Sequence, residues 1–323
     1  MANHILFAYN LDRDGVSTAL GEDKIGQALK AEGPAWVHLD ANHKNTTKWL
    51  ADELSDLDPF IFSALMADET RPRMTQVDDG AILILRGVNL NSGEEEEDMV
   101  SVRLFIDKSR IVSLQKRKLR SVLSIKETVE KGRGPKQIGA FVSRLIGKLT
   151  ERFDAVLSEL DDATDTVEEK LLMGVDVSLR QEIVAIRKKA IVYRRYLSPQ
   201  REAISQLRMA DFTWLSDLDK RSLQESYNHV SRYVEELDAI RERAQIVKDE
   251  LANMIGDRLN KNTYVLSVIA AIFLPLGFLT GLLGINIGGI PGSDQPAAFA
   301  IFCGLLVFLV AAQILIFKKF RWF

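Results

Sequence analysis

The chain has 323 residues, 27% of them charged, and a formal net charge of -3. That length admits about two soluble units plus further elements. The near-neutral balance lacks the basic footprint of a nucleic-acid binder, so no nucleic-acid partner is expected. A single cysteine, Cys303, excludes a disulfide framework within the chain and fits a reducing compartment. The opening MANHILFAYNLDRDG has neither a basic n-region nor a long apolar run. It does not read as a signal peptide, and the polar part of the chain is expected to stay cytosolic.

Residues 1–136 alternate between short strands and short helices. Ile5–Tyr9 and Ala35–Asp40 read as strands, Lys24–Ala31 as a short helix, and Thr46–Leu54 and Pro59–Met66 as helices, the last with proline in its favoured first turn. Four strand-like runs follow: Arg73–Val77, Ala81–Leu90, Met99–Asp107 and Arg110–Gln115. Ala81–Leu90 is nearly all apolar, the pattern of a strand covered on both faces. Ser121–Lys131 reads as a helix closed by Gly132-Arg133-Gly134-Pro135. This is an α/β unit with mixed strand directions. It carries no phosphate loop, no GxSxG and no clustered Cys or His, so no catalytic site and no cofactor are expected. The acidic run Glu94–Asp98 reads as a solvated hairpin loop. His4, His38, His43 and His229 have no metal-ligand spacing and read as structural or surface residues.

From Gln137 onward the pattern is helical. Residues 137–217 form a helical layer: Ile138–Met173, ended by Gly174, then Leu179–Leu207 with Ser198-Pro199 expected to kink it. The acids Asp161, Asp162, Asp165, Glu168 and Glu169 on the first of these helices read either as a solvated face or as a place for regulatory metal. The next helix begins near residue 218 and has no proline until Pro275. Its last part, Tyr264–Leu283, has no charged residue, and roughly 20 residues at about 1.5 Å each span a bilayer core of about 30 Å. A loop over 287–296 and a second apolar run over 297–317 follow, then a basic tail over 318–323 with Lys318, Lys319 and Arg321. Basic residues flank both outer ends, Arg258 and Lys261 before the first span and the tail after the second. The loop holds no Lys or Arg. The positive-inside tendency therefore predicts a hairpin in membrane lipid with both termini cytoplasmic.

Alternating steps of four and three along the first span pick out Asp249, Asn253, Gly256, Asn260, Thr263, Ser267, Ala270, Leu274, Gly277, Gly281 and Gly284. Nearly all are polar or small, and the positions between them inside the span are large. Two readings stand. Gly277xxxGly281 is a packing motif that lets helices approach closely. Alternatively, several copies surround an axis and the stripe lines a wet conduit, which one hairpin cannot enclose alone. Packing does not account for the continuation through Ser267, Thr263, Asn260, Asn253 and Asp249. In the conduit reading Leu274 forms a hydrophobic constriction. Gly284, Ile285 and Asn286 form the outer mouth, where neutral amide oxygens suit a hydrated divalent cation. Asp294 is the one acid in the loop.

Several motifs resemble one family, the CorA metal-ion transporters with two transmembrane helices and a GxN signature. They are Glu69-Thr70-Arg71-Pro72-Arg73, Tyr196-Leu197-Ser198-Pro199-Gln200-Arg201-Glu202, Ala270-Ala271-Ile272-Phe273-Leu274-Pro275-Leu276, Gly281-Leu282-Leu283-Gly284-Ile285-Asn286 and Lys318-Lys319-Phe320-Arg321-Trp322. The resemblance implies a funnel-shaped homopentamer with an N-terminal α/β domain, a helical layer, and a long stalk helix over 218–286 that becomes the pore-lining first span. The magnesium and cobalt branch usually reads GMN followed by MPE. Here GIN and Ile290-Pro291-Gly292 stand in those places, which resembles the ZntB zinc-transporter branch of bacterial inner membranes.

The combined expectation is a pentameric inner-membrane transporter of divalent cations, Zn²⁺ foremost, and not an enzyme. A Mg²⁺/Co²⁺ channel on the same scaffold is the first alternative. A membrane-anchored scaffold or signalling protein is the second.

Overall fold

The structure is a computed structural model that describes residues 4–11, 17–68, 71–174, 176, 178–284 and 295–319. It divides into two units, Met1–Lys248 and Asp249–Phe323. In the first unit β1 (Ile5–Asn10), β2 (Thr18–Ala19), α1 (Glu22–Lys30), β3 (Ala35–Asp40), α2 (Thr46–Glu53) and α3 (Pro59–Met66) are followed by β4 (Arg73–Val77), β5 (Gly80–Gly87), β6 (Val100–Ile106) and β7 (Arg110–Gln115). The helices α4 (Arg120–Glu130), α5 (Ile138–Met173) and α6 (Leu179–Met209) come next, and α7 (Asp217–Leu283) begins in this unit. The strands make one seven-stranded sheet in the order β2-β1-β3-β7-β6-β5-β4. β3 and β7 are parallel, with Val37 opposite Val112, and every other neighbouring pair is antiparallel. The expected α/β unit with mixed strand directions is therefore present.

Strand alternation sends side chains to two covered faces. Val37, Leu39, Ile82, Ile84, Val112 and Leu114 join one core with Ile25, Leu29, Leu50, Ile61 and Leu65 from α1, α2 and α3. On the other face Trp36 meets the Phe141 ring of α5 edge-on at 4.8 Å. α3 starts where expected because Asp58 accepts the Phe60 N–H at 2.7 Å and Pro59 opens the first turn. Two details differ from expectation. β5 ends at Gly87 rather than Leu90. A Cβ at Gly87 would lie 2.7 Å from the Leu149 side chain. The chain beyond it turns around Asn89, which accepts the Asn91 N–H at 3.2 Å and donates to Glu94 at 2.8 Å. β2 is only two exposed residues paired with β1, too short to carry a hydropathy pattern.

The Tyr196–Glu202 motif docks α6 on the sheet. β4 pairs with β5 only as far as Arg73 opposite Ile84. Beyond that point the Arg86 main-chain N–H donates to Oε1 of the buried Gln200 at 2.8 Å. The Arg86 guanidinium lies 4.2 Å from the Tyr196 ring centre and donates to the Met99 carbonyl at 2.8 Å. α6 continues through Pro199 without interruption. Gln200→Ala removes this acceptor and the buried side chain that carries it, and the expected cost is about 1–3 kcal/mol of stability, measured by denaturation of the detergent-solubilised protein.

His38 lies fully buried on β3, its Nδ1 2.8 Å from the Ser113 hydroxyl, which also accepts from the Trp36 indole at 2.8 Å. Burial disfavours the imidazolium and pushes its pKa down to about 4. The unfolded chain therefore binds the extra proton first. The contribution of neutral His38 is fully present above about pH 6.5 and is lost as pH falls toward 4, by up to about 1.4 kcal/mol per pH unit. Paired pH–stability curves should show that slope in the wild type and a shallower one in His38→Gln.

The second unit holds the rest of α7 together with α8 (Ala298–Lys319). Both helices are long and apolar enough to cross a membrane, and 6% and 0% of their apolar windows are buried within the chain. Core helices of a soluble protein would be covered, so these helices have the character of membrane spans.

Candidate ion pathway

α8 covers one side of the apolar part of α7. Val268 is the most deeply covered residue of that part at 8% exposure, and Ala271, Ile272, Pro275, Leu276 and Leu279 are half-buried. The Gln313 amide reaches the Ala271 carbonyl, and Phe273, Leu276 and Thr280 border an apolar groove with Leu306, Val310 and Ile314 of α8. The helical spacing of 268, 271/272, 275/276 and 279 marks this as a single face.

The stripe occupies other positions of α7 and is uncovered. Asp249, Asn253, Asn260, Thr263, Ser267, Ala270, Gly277, Gly281 and Gly284 are exposed, and Gly256 is half-exposed. Leu274 is 75% exposed. An ideal Cβ on Gly256, Gly277 or Gly281 would meet nothing within 4 Å. Within the chain, then, Gly277xxxGly281 does not bring two helices into close contact, although Gly277 also borders the groove. Gly284 has a local reason to be glycine. Its N–H donates to the Thr280 carbonyl at 2.9 Å, and a Cβ there would lie 2.7 Å from that oxygen. The Ser267 hydroxyl donates to the Thr263 carbonyl at 2.9 Å, so its oxygen keeps its accepting lone pairs. Ile285, Asn286 and Asp294 lie outside the described residues, as do Glu69 and Thr70 and the aromatic-basic end from Phe320.

Among the described residues no group of three or more Asp, Glu, His or Cys is arranged to hold a metal ion. The acids of α5 show why. Arg243 of α7 donates to Asp161 at 2.8 Å, to Glu168 at 2.7 and 2.9 Å, and to Asp165. A guanidinium sits among these carboxylates, and the hydrogen bonds it donates to Glu168 and Asp165 raise its pKa. The sequence pattern admits a solvated face or a metal site at these acids; the structure places an arginine among them, which no local signal indicates. The acidic loop is likewise tied down, with Arg117 donating to Glu94 at 2.8 Å and to Asp98 at 2.6 Å.

The whole chain matches known proteins in this architecture. Residues 31–319 match the family described as CorA-like Mg²⁺ transporter protein. The chain belongs to that family. The divalent cation transporter CmaX of Pseudomonas aeruginosa is 37% identical over 321 residues, covering 98% of this chain and 96% of CmaX. The zinc transport protein ZntB of Pectobacterium carotovorum is 34% identical over 315 residues, covering 98% of this chain and 95% of ZntB. The solved structure of full-length CmaX superposes with a TM-score of 0.85 at 35% identity, covering 100% and 99% of the two chains. The complete structure of the CorA magnesium transporter from Methanocaldococcus jannaschii superposes with a TM-score of 0.81 at 16% identity, which shows the shared CorA fold.

The two faces of α7 differ in exposure within the chain. In a Cys303→Ala background, cysteines at Thr263, Ser267 or Ala270 should react readily with a water-soluble thiol reagent, because the reactive thiolate needs water. Cysteines at Val268 or Leu276 should react slowly. Equal rates on both faces would remove the distinction on which a wet stripe depends.

Proposed function

We propose that this chain is a divalent-cation transporter of the inner membrane, moving Zn²⁺ through the central pore of a homopentamer. One observation carries the reading: α7 leaves its small and polar stripe uncovered while α8 covers a different face. Copies of α7 around an axis would turn that stripe inward and leave α8 toward lipid. Membership of the CorA family and the zinc and divalent-cation transport named for its relatives support the same reading. Both termini are cytoplasmic in this arrangement, by the basic flanks. The α/β part to about residue 136 and the helical layer to about 217 would stand around the cytoplasmic end of the stalk.

In this reading Gly284, Ile285 and Asn286 form the outer mouth, with amide oxygens contacting the cation or its water shell. Asp294 would add a negative charge nearby. Leu274 is the constriction, where apolar side chains exclude water. Ser267, Thr263, Asn260 and Asn253 carry a hydrated ion onward, and Asp249 attracts it at the cytoplasmic end. No step requires a catalytic cofactor; the metal is cargo. A second reading has its own support. The stripe offers only oxygen donors and no Cys or His, a hard-ligand lining that suits Mg²⁺ as well as Zn²⁺.

Zinc flux into vesicles holding the purified protein tests the function, with Mg²⁺ as competitor and with and without a pH gradient. Zinc flux that resists Mg²⁺ competition supports zinc transport, and a dependence on the gradient adds proton coupling. Equal carriage of Mg²⁺ favours the magnesium channel. Asn286→Ala is expected to reduce flux to that of protein-free vesicles, and Leu274→Ala to raise it. No flux from folded oligomer would return the hairpin to the role of an anchor.

A further inference from the structure

Gln313 is the one amide in the apolar body of α8, AFAIFCGLLVFLVAAQILIFKK. A polar group at that depth is costly unless it is bonded. Its Nε2 donates to the main-chain carbonyl of Ala271 at 3.5 Å. Ala271 is four residues before Pro275. In a regular helix the Ala271 carbonyl would accept the N–H of residue 275, and proline has none. The side chain from α8 therefore stands where the missing donor would act. The opposite amide orientation would set Oε1 against a carbonyl oxygen, acceptor against acceptor, so the geometry selects Nε2. The bond lies on the covered side of α7, since Ala271 and Pro275 are half-buried, while Leu274 in the same turn is exposed on the stripe.

We propose that Gln313 is a positioning residue for the constriction, supplying the donor that Pro275 removes and fixing the turn that carries Leu274. The inference rests on Leu274 being the constriction. Neighbouring helices commonly satisfy backbone groups freed by proline inside a membrane, and here the group freed is one turn from the side chain that closes the path. With the amide gone, the Ala271 carbonyl loses the donor that stands in for the missing Pro275 N–H. The turn then relaxes toward a bend, and the Leu274 side chain moves with it.

A double-mutant cycle on the full chain tests this. Gln313→Leu removes the donor, and Pro275→Ala restores the backbone N–H that makes the donor unnecessary. Zinc flux in vesicles and thermal stability of the detergent-solubilised oligomer are read for all four proteins. Gln313→Leu alone is expected to lower stability and to change flux by about threefold, the scale of one interhelical hydrogen bond in a membrane. In the Pro275→Ala background the same change should alter neither. Equal effects of Gln313→Leu in both backgrounds would overturn the bond. Coupling in stability without coupling in flux would overturn the positioning role. Leu274→Ala serves as the control for the pore: wild-type flux from that variant would sink the constriction, and with it the role given to Gln313, while the stability cycle still reads the bond.

Discussion

Inside hydrocarbon every backbone donor and acceptor must find a partner within the protein, and that requirement shapes both spans of this chain. It makes them helices. It also bears on Pro275, the proline inside α7, where the freed carbonyl meets an amide from α8. The same requirement explains why hydroxyls on α7 turn back on their own helix, Ser267 to the Thr263 carbonyl and Thr280 to the Leu276 carbonyl. A polar stripe can run through a membrane span only if its donors are occupied or its surface is wet. Here the donor of Ser267 is occupied, and the stripe as a whole is left uncovered.

In the unit that holds the sheet, the corresponding problem is solved by side chains that complete that sheet. β4 stops short of Arg86, and Gln200 supplies the acceptor a longer strand would have given. Tyr196 stacks under the same arginine. The motif around Pro199 thus fastens the helical layer to the α/β layer. Further along, Arg243 holds three carboxylates of α5 from α7.

Much of this was readable from sequence because helices and strands announce themselves by period. β3, β4, β7, α3 and α5 fall where the pattern puts them, since proline, glycine and turn residues mark their ends. The stripe on α7 and its contrast with the large residues between were also visible, because both belong to one helix. What could not be read depends on partners distant in the chain. Nothing near Asp161 indicates that an arginine 82 residues away will sit among these acids. Nothing near Pro275 points to Gln313, which lies 42 residues from Ala271. β2 was missed because two residues have no period at all.

The pinned hydroxyl of Ser267 has a consequence for protons. Handing a proton along a row of side chains requires each O–H to let go of its present acceptor and swing to the next. An O–H committed to a backbone carbonyl is a poor link in such a relay, and the asparagine amides further along do not titrate. Asp249 and Thr263 hold exchangeable protons at the polar end, but from Ala270 to Gly284 the stripe is alanine, leucine and glycine, which cannot carry one. A stripe of this composition can line a passage for water and hydrated ions, but any proton travelling with them has to ride on the water.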